Sequence, residues 1–235
     1  MDNVLAIIPA AGQGKRMGNQ VNKQFLCLAG LPILVHTLKV LEDHPGINGI
    51  ILVCREEERE FCRTEIVERY QLKKVLKVVA GGKERQHSVF NGIKALPSNT
   101  GLVFIHDGAR PFLEHGIIDQ ALAEATVVGA VVAAVPLKDT IKQAGSDGMV
   151  IATPDRSQLW QIQTPQVFNY NLILAAHQQA NTDGFLGTDD ASLVEYIGHK
   201  VKLVPGTYEN IKITTPEDLL IGEAILQGRR KERDL

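Results

Sequence analysis

An α/β fold on an open, mostly parallel sheet with helices on both faces is what this sequence predicts, and three observations predict it. Short β-branched apolar runs recur along the chain, helix-length segments separate them, and loops rich in glycine and charge follow them. Runs that are apolar throughout, instead of alternating, mark strands buried on both faces. Right-handed crossovers then join parallel neighbours.

Residues 4–8 open the sheet and are stopped by Pro9 and a glycine-rich stretch. Residues 32–43 follow as a helix, with Leu34, Val35, Leu38 and Leu41 at helical spacing and Pro32 in the tolerated first turn. Residues 47–53, 75–79, 102–105 and 130–135 repeat the buried-strand signature, and 56–70, 85–96 and 116–128 are the helices between them. At 137–163 the pattern breaks into short pieces at Gly145, Gly148 and Pro154, the mark of a β-arm outside the sheet. A two-stranded projection is marginal in water, so the arm is expected to pack on another chain. Helices at 171–180 and 189–197, a strand at 200–204 and a helix at 216–227 complete the chain, and 228–235 is a solvated tail.

Composition excludes several classes. Hydrophobic residues at 44% and charged residues at 22% are ordinary globular usage, which removes disorder, collagen and coiled-coil arrays. With 25 Lys+Arg against 27 Asp+Glu, the net charge of -2 supplies no basic field for nucleic acid or anionic lipid. The apolar stretch 125–137 contains Gly129 and Pro136 and falls short of the ~20 residues that span a bilayer. Met1, Asp2 and Asn3 lack the positive start of a secretory signal, so a cytoplasmic location without membrane attachment is expected. Cys27, Cys54 and Cys62 show no CxxC spacing and read as reduced, packed thiols.

Ligands of open α/β sheets collect beyond the carboxyl ends of the strands, which directs attention to loops 9–24, 80–88 and 106–112. The first, from Pro9 through Gly12, Gly14, Lys15, Arg16 and Gly18 to Lys23, could wrap a phosphate chain, yet it matches neither common nucleotide motif. A dinucleotide fingerprint from Gly12 needs glycine at position 17, where Met17 stands; a Walker A loop ending at Gly14 and Lys15 needs glycine at Pro9 and Ser or Thr at Arg16. In the second loop Gly81 and Gly82 precede a polar helix start that includes Ser88, suited to close approach by a base or ribose, or simply to a turn and cap. In the third, Asp107 could hold a divalent cation or cap a turn. Lys212 stands just ahead of a helix start marked by Thr215 and Pro216.

In order, the chain carries Pro9-Ala-Ala-Gly12 with Gly14, Arg16 and Met17; Lys23-Gln24; Gly81-Gly82 through Ser88; and His106-Asp107-Gly108-Ala109-Arg110-Pro111. Lys138-Asp139-Thr140, Gln163-Thr164-Pro165-Gln166, Thr188-Asp189-Asp190-Ala191-Ser192 and Asn210-Ile211-Lys212 follow. This succession, covering nearly the whole chain, resembles the 2-C-methyl-D-erythritol 4-phosphate cytidylyltransferase family. The resemblance implies one Rossmann-like nucleotidyltransferase domain over 1–235, with the arm 137–163 inserted and used in homodimerisation. It implies that CTP and 2-C-methyl-D-erythritol 4-phosphate react with Mg²⁺ present to give 4-diphosphocytidyl-2-C-methyl-D-erythritol and pyrophosphate.

By the same resemblance, Arg16 and Lys23 stabilise charge on the α-phosphate and the departing pyrophosphate. Ala10, Ala11, Gly12 and Gly14 shape the triphosphate loop; Gly81, Gly82 and Ser88 hold cytosine and ribose; Asp107, with Gly108 beside it, faces the magnesium and ribose. Lys212 holds the incoming phosphate, Arg110 and Thr188 are further substrate contacts, and Thr140 and Arg156 reach the substrate of the neighbouring subunit. Lys83 and Gly108 replace an acid and an alanine frequent in the family. No general base is needed, because the attacking phosphate oxygen is already ionised, and His87 and His106 read as fold or loop residues. The alternatives are a ribitol-5-phosphate cytidylyltransferase and a regulator that binds CTP without turnover.

Overall fold

The strand Val4–Pro9 (β1) lies at the centre because both of its faces are apolar. Val4, Ala6 and Ile8 join one core and Leu5 and Ile7 the other, all buried. The computed structural model describes residues 3–12 and 22–233. Its sheet also contains Gly49–Cys54 (β4), Val75–Ala80 (β5), Leu102–Ile105 (β6), Ala130–Pro136 (β7), Trp160–Asn169 (β10) and Lys202–Pro205 (β11). The order across it is β11-β7-β10-β6-β1-β4-β5.

Every pairing is parallel except those of β10, which runs antiparallel between β6 and β7. Ile33–Asp43 (α1) and His115–Val128 (α4) cover one face. Arg85–Ala95 (α3), Tyr170–Asp183 (α5) and Asp190–Tyr196 (α6) cover the other. Gly129, at φ 80°, ends α4 in the left-handed conformation that turns the chain into β7. The helix Pro216–Arg233 (α7) packs Leu219, Ile225 and Leu226 on a smaller core of Leu28, Ile33, Phe112 and Ile213. Leu28 belongs to a two-stranded ribbon of Cys27–Leu28 (β2) and Leu31–Pro32 (β3). The α7 core anchors the segment that carries Lys212. The three cysteines are free thiols, with Cys54 and Cys62 buried and Cys27 exposed, so Cys27 departs from the packed state expected of it.

The doubly wound, mostly parallel architecture is the one expected, but several elements differ; α7 continues to Arg233 where a solvated tail is expected from 228, and the β2–β3 ribbon has no counterpart among the expected elements. Segment 56–70 is not one α-helix: a 3-10 turn Glu56–Glu58 leads into a short α-helix Arg59–Phe61 (α2) and a π-helix Cys62–Glu68. Spacing of apolar residues does not separate these closely related windings. The strand β10 was not expected at all, and its first residues lie in the span read as arm, where Trp160, Gln161 and Ile162 already pair with β7. Pro165 and the glutamines at 161, 163 and 166 hide its strand character. Beyond the sheet, Gln143–Ala144 (β8) and Val150–Ala152 (β9) form an exposed hairpin. Among the described residues, no helix is long and apolar enough to cross a membrane.

Candidate active site

The site grows from the point where the sheet's connections reverse. From β1 the chain proceeds through α1 to β4 and β5 on one side, then returns through α3 to β6 on the other. The loops after β1 and β6 diverge there, leaving a crevice at the carboxyl ends of the strands. A cleft of ≈ 810 Å³ occupies it. Pro9, Ala11, Gly12, Lys23 and Gln24 line it from the first loop; Gly82, Lys83, Glu84, Arg85 and Ser88 from the second; and Arg55, Asp107, Ala109, Lys212 and Thr214 from the remainder.

Each wall has a local cause. Ala10, fully buried, donates its amide to the Val53 carbonyl at 2.7 Å, and the buried Gln24 amide donates to the Ala10 carbonyl at 2.5 Å. Lys23 is thereby set on a 3-10 turn, Lys23–Phe25, at the rim. Gly81 must be glycine: a Cβ there would lie 2.7 Å from Ala11 Cβ and 2.9 Å from Ser88 Oγ. Ser88 Oγ donates to the Glu84 carbonyl at 3.1 Å and accepts from the Gly82 amide at 3.0 Å. His87 Nδ1 accepts from the Glu84 amide at 3.3 Å as half of a capping box, a fold role, as expected.

Asp107 is the electrostatic centre. Lys212 Nζ lies 2.8 Å from its Oδ2, Arg110 Nε 3.7 Å from the same oxygen, and Arg85 Nε donates to its Oδ1 at 3.3 Å. Burial alone would push this carboxyl up, but Arg85, Lys212 and Arg110 outweigh burial and hold it far below the usual carboxylate range. Arg85 also donates through Nη1 to the fully buried Asp190 at 2.6 Å. Burial opposes the Arg85 charge, yet Asp190 and Asp107 together raise its pKa.

Behind Asp107 a directed chain of hydrogen bonds fixes one tautomer. The Asp107 amide donates to Thr164 Oγ1 at 3.1 Å, the Thr164 hydroxyl donates to His106 Nδ1 at 2.9 Å, and His106 Nε2 donates to the Arg110 carbonyl at 3.0 Å. Burial drives the His106 pKa down to about 4, so the ring is neutral and pins the turn from Asp107 to Arg110.

The structure brings Ala11, Gly12, Lys23, Gly82, Ser88, Asp107 and Lys212 into one cleft. Ala10, Gly81 and Gly108 support it from beneath; a Cβ on Gly108 would meet Leu34 Cδ1 at 3.0 Å. Arg110 donates to the Asn210 carbonyl at 2.7 Å and braces the Lys212 segment. Thr188 is exposed just before α6, while Thr140 and Arg156 are exposed on the arm, where Arg156 donates to the Lys138 carbonyl at 2.6 Å. Gly14 and Arg16 lie outside the described residues.

Among the described residues, the side chains do not fit a resident divalent cation. Oδ1 of Asp107, the expected ligand, faces Arg85 and Oδ2 faces Lys212, and no group of three or more His, Cys, Asp or Glu among the described residues could hold a metal. In place of a metal ligand, Asp107 is here a counter-charge to basic side chains. Sequence reasoning missed Arg85 and Asp190 as site residues; the signals on offer were the place of Arg85 in the glycine-rich loop and of Asp190 in the 188–192 motif.

A doubly wound sheet whose glycine loops and basic side chains meet at the reversal point defines an α/β protein with its ligand crevice there, and the family it matches is one of nucleotidyltransferases. Residues 4–228 match the model of one family, and the chain belongs to it: 2-C-methyl-D-erythritol 4-phosphate cytidylyltransferase. The curated protein of that name from Desulforamulus reducens is 52% identical over 229 residues, 97% of this chain and 98% of the relative. That from Alkaliphilus metalliredigens is 51% identical over 227 residues, 97% of this chain and 94% of the relative. The crystal structure of 4-diphosphocytidyl-2C-methyl-D-erythritol synthase from Anaerococcus prevotii superposes with a TM-score of 0.85 at 36% identity, covering 96% of both chains.

Proposed function

We propose that this chain joins CTP and 2-C-methyl-D-erythritol 4-phosphate, releasing pyrophosphate and leaving 4-diphosphocytidyl-2-C-methyl-D-erythritol, an isoprenoid precursor. The observation that carries the proposal is the convergence of Lys23, Lys83, Arg85 and Lys212 on a cleft with glycine-bearing walls. An ionised oxygen of the acceptor phosphate attacks the α-phosphorus of CTP in line, a bond to that oxygen forms, and the bond to the β-phosphate bridging oxygen breaks. The obstacle is repulsion between two polyanions, so catalysis is positioning plus fixed positive charge.

In this reading Lys23 and Arg16 meet charge on the α-phosphate and the departing pyrophosphate. Ala10, Ala11, Gly12 and Gly14 shape the triphosphate loop, and Gly81, Gly82 and Ser88 admit the base and ribose beside Asp107 and Gly108. Lys212 moves from Asp107 to the acceptor phosphate, with Arg110 and Thr188 nearby. The whole chain acts as one domain in a cytoplasmic homodimer, each arm 137–163 lending Thr140 and Arg156 to the partner's acceptor site. Ile141, Met149, Val150, Ile151 and Trp160 are exposed on or beside the arm, an apolar surface suited to burial against a second copy. Magnesium would come with the triphosphate, whose oxygens suit it better than an Asp107 already engaged by bases.

Pyrophosphate release from CTP, measured side by side with 2-C-methyl-D-erythritol 4-phosphate and ribitol 5-phosphate, tests the reading. Release with the first acceptor and far less with the second is expected. Equal or reversed rates overturn the acceptor, and no release with either overturns the transferase.

A further inference from the structure

The buried charges behind the cleft are organised around Arg85, a cleft-lining cation to which no step has been assigned. Arg85 sits in the first turn of α3 with its guanidinium between two carboxylates that belong to distant parts of the chain, Asp107 after β6 and Asp190 in α6. Asp190 is rigidly held. Its amide and that of Ala191 both donate to Gln166 Oε1 at 3.1 Å, and His177 Nε2 lies 3.3 Å from its Oδ1. The adjacent Gln86 adds a second tie, donating to the Phe185 carbonyl at 3.0 Å and accepting from the Gly187 amide at 2.9 Å.

Arg85, Arg110 and Lys212 face the two carboxylates within 4 Å, and His177 adjoins Asp190. Lys212 is the most exposed of these, at 37% of its side chain, against 30% for Arg85 and 12% for Arg110. It is therefore the one able to leave. After its departure Arg85 and Arg110 still face the two buried carboxylates, so no unpaired charge is left in a poorly hydrated place, which would be costly.

We propose that Arg85 is a positioning residue: by tying Asp107 to Asp190 it lets Lys212 leave Asp107 for the acceptor phosphate without stranding a buried carboxylate. The inference rests on the transferase reading and goes beyond it by assigning a role to a side chain that need not touch the reacting atoms. Without Arg85, Asp107 keeps Lys212, so acceptor use suffers through Asp107.

The test is a double-mutant cycle in kcat/KM for the acceptor at saturating CTP, with Arg85→Gln, Asp107→Asn and the double variant. Arg85→Gln is expected to lose ~10-fold or more in acceptor kcat/KM, in the range of lost charged hydrogen bonds. The double variant is expected to be no worse than Asp107→Asn alone. A purely structural Arg85 would instead give losses that multiply, and that result overturns the assignment. Because Arg85→Gln leaves Asp190 without its buried cation, the cycle is repeated on an Asp190→Asn background, with thermal unfolding read for every variant. The same non-multiplying pattern is expected there; multiplying losses again overturn it. Wild-type enzyme run in parallel separates the two failures. No wild-type release removes the transferase reading and this inference together, whereas normal wild-type release with multiplying losses removes the Arg85 role alone.

Discussion

Lys23 owes its place to its neighbour, because the buried Gln24 amide on the Ala10 carbonyl fixes the turn and leaves the lysine at the cleft rim. Truncating Lys23 leaves that Gln24 tie in place. Lys23→Ala is therefore expected to lower kcat by ~10²-fold or more, the usual loss for one electrostatic stabiliser, while the thermal midpoint stays within a few degrees. Turnover close to wild type would remove Lys23 from its role. Glycines beside strand ends and lysines nearby were readable along the chain because their chemistry is local. The Arg85 bridge was not, since its partner Asp190 is 105 residues away in sequence and only folding joins them.

At the scale of elements, α3 and the arm illustrate what patterning reveals and what it hides. The N-terminus of α3 was legible from glycines followed by a polar start, and the arm from a loss of periodicity with Gly145, Gly148 and Pro154. The strand β10 was invisible because its polar side chains serve the site: Gln163 donates to the Thr207 carbonyl at 2.8 Å, and Gln166 holds α6. A register shift between Ile162 and Gln166 gives these residues room to turn toward their partners. For the arm, chains carrying Arg156→Ala and chains carrying Lys23→Ala, each inactive alone, are expected to regain part of the activity when mixed and allowed to exchange subunits. Confirmed mixed dimers without any recovery would show that the arm does not serve its neighbour's site.

For the molecule as a whole, the sheet carries a buried polar layer that includes His106, Asp107 and Asp190, and that layer makes stability depend on pH. His106 has a folded-state pKa of about 4 against roughly 6.5 for an unfolded histidine, so the unfolded chain binds the extra proton between those values. Its contribution is complete above about pH 6.5 and is lost as pH falls toward 4. The His106 share of the unfolding free energy should be about 2 kcal/mol smaller at pH 5 than at pH 7. Denaturant unfolding of wild type and His106→Gln at both pH values checks this, because the variant should lack that part of the decline; equal declines would place the sensitivity elsewhere. The depressed carboxyls of Asp107 and Asp190 act lower, their stabilisation being present above the unfolded value of about 3.9 and lost as pH falls below it.

The one strand that runs against its neighbours settles where the hairpin can emerge. Since β10 opposes β6, its Gln166 sits beside Ile105 at the end of β6, next to Asp107, and its first residues run on past that end paired with β7, where Trp160 meets Pro136. Departure and return of the projecting hairpin are thus both on the side of the molecule that carries the cleft. Two copies that clasped through their hairpins would then be joined from the edge that opens onto the cleft.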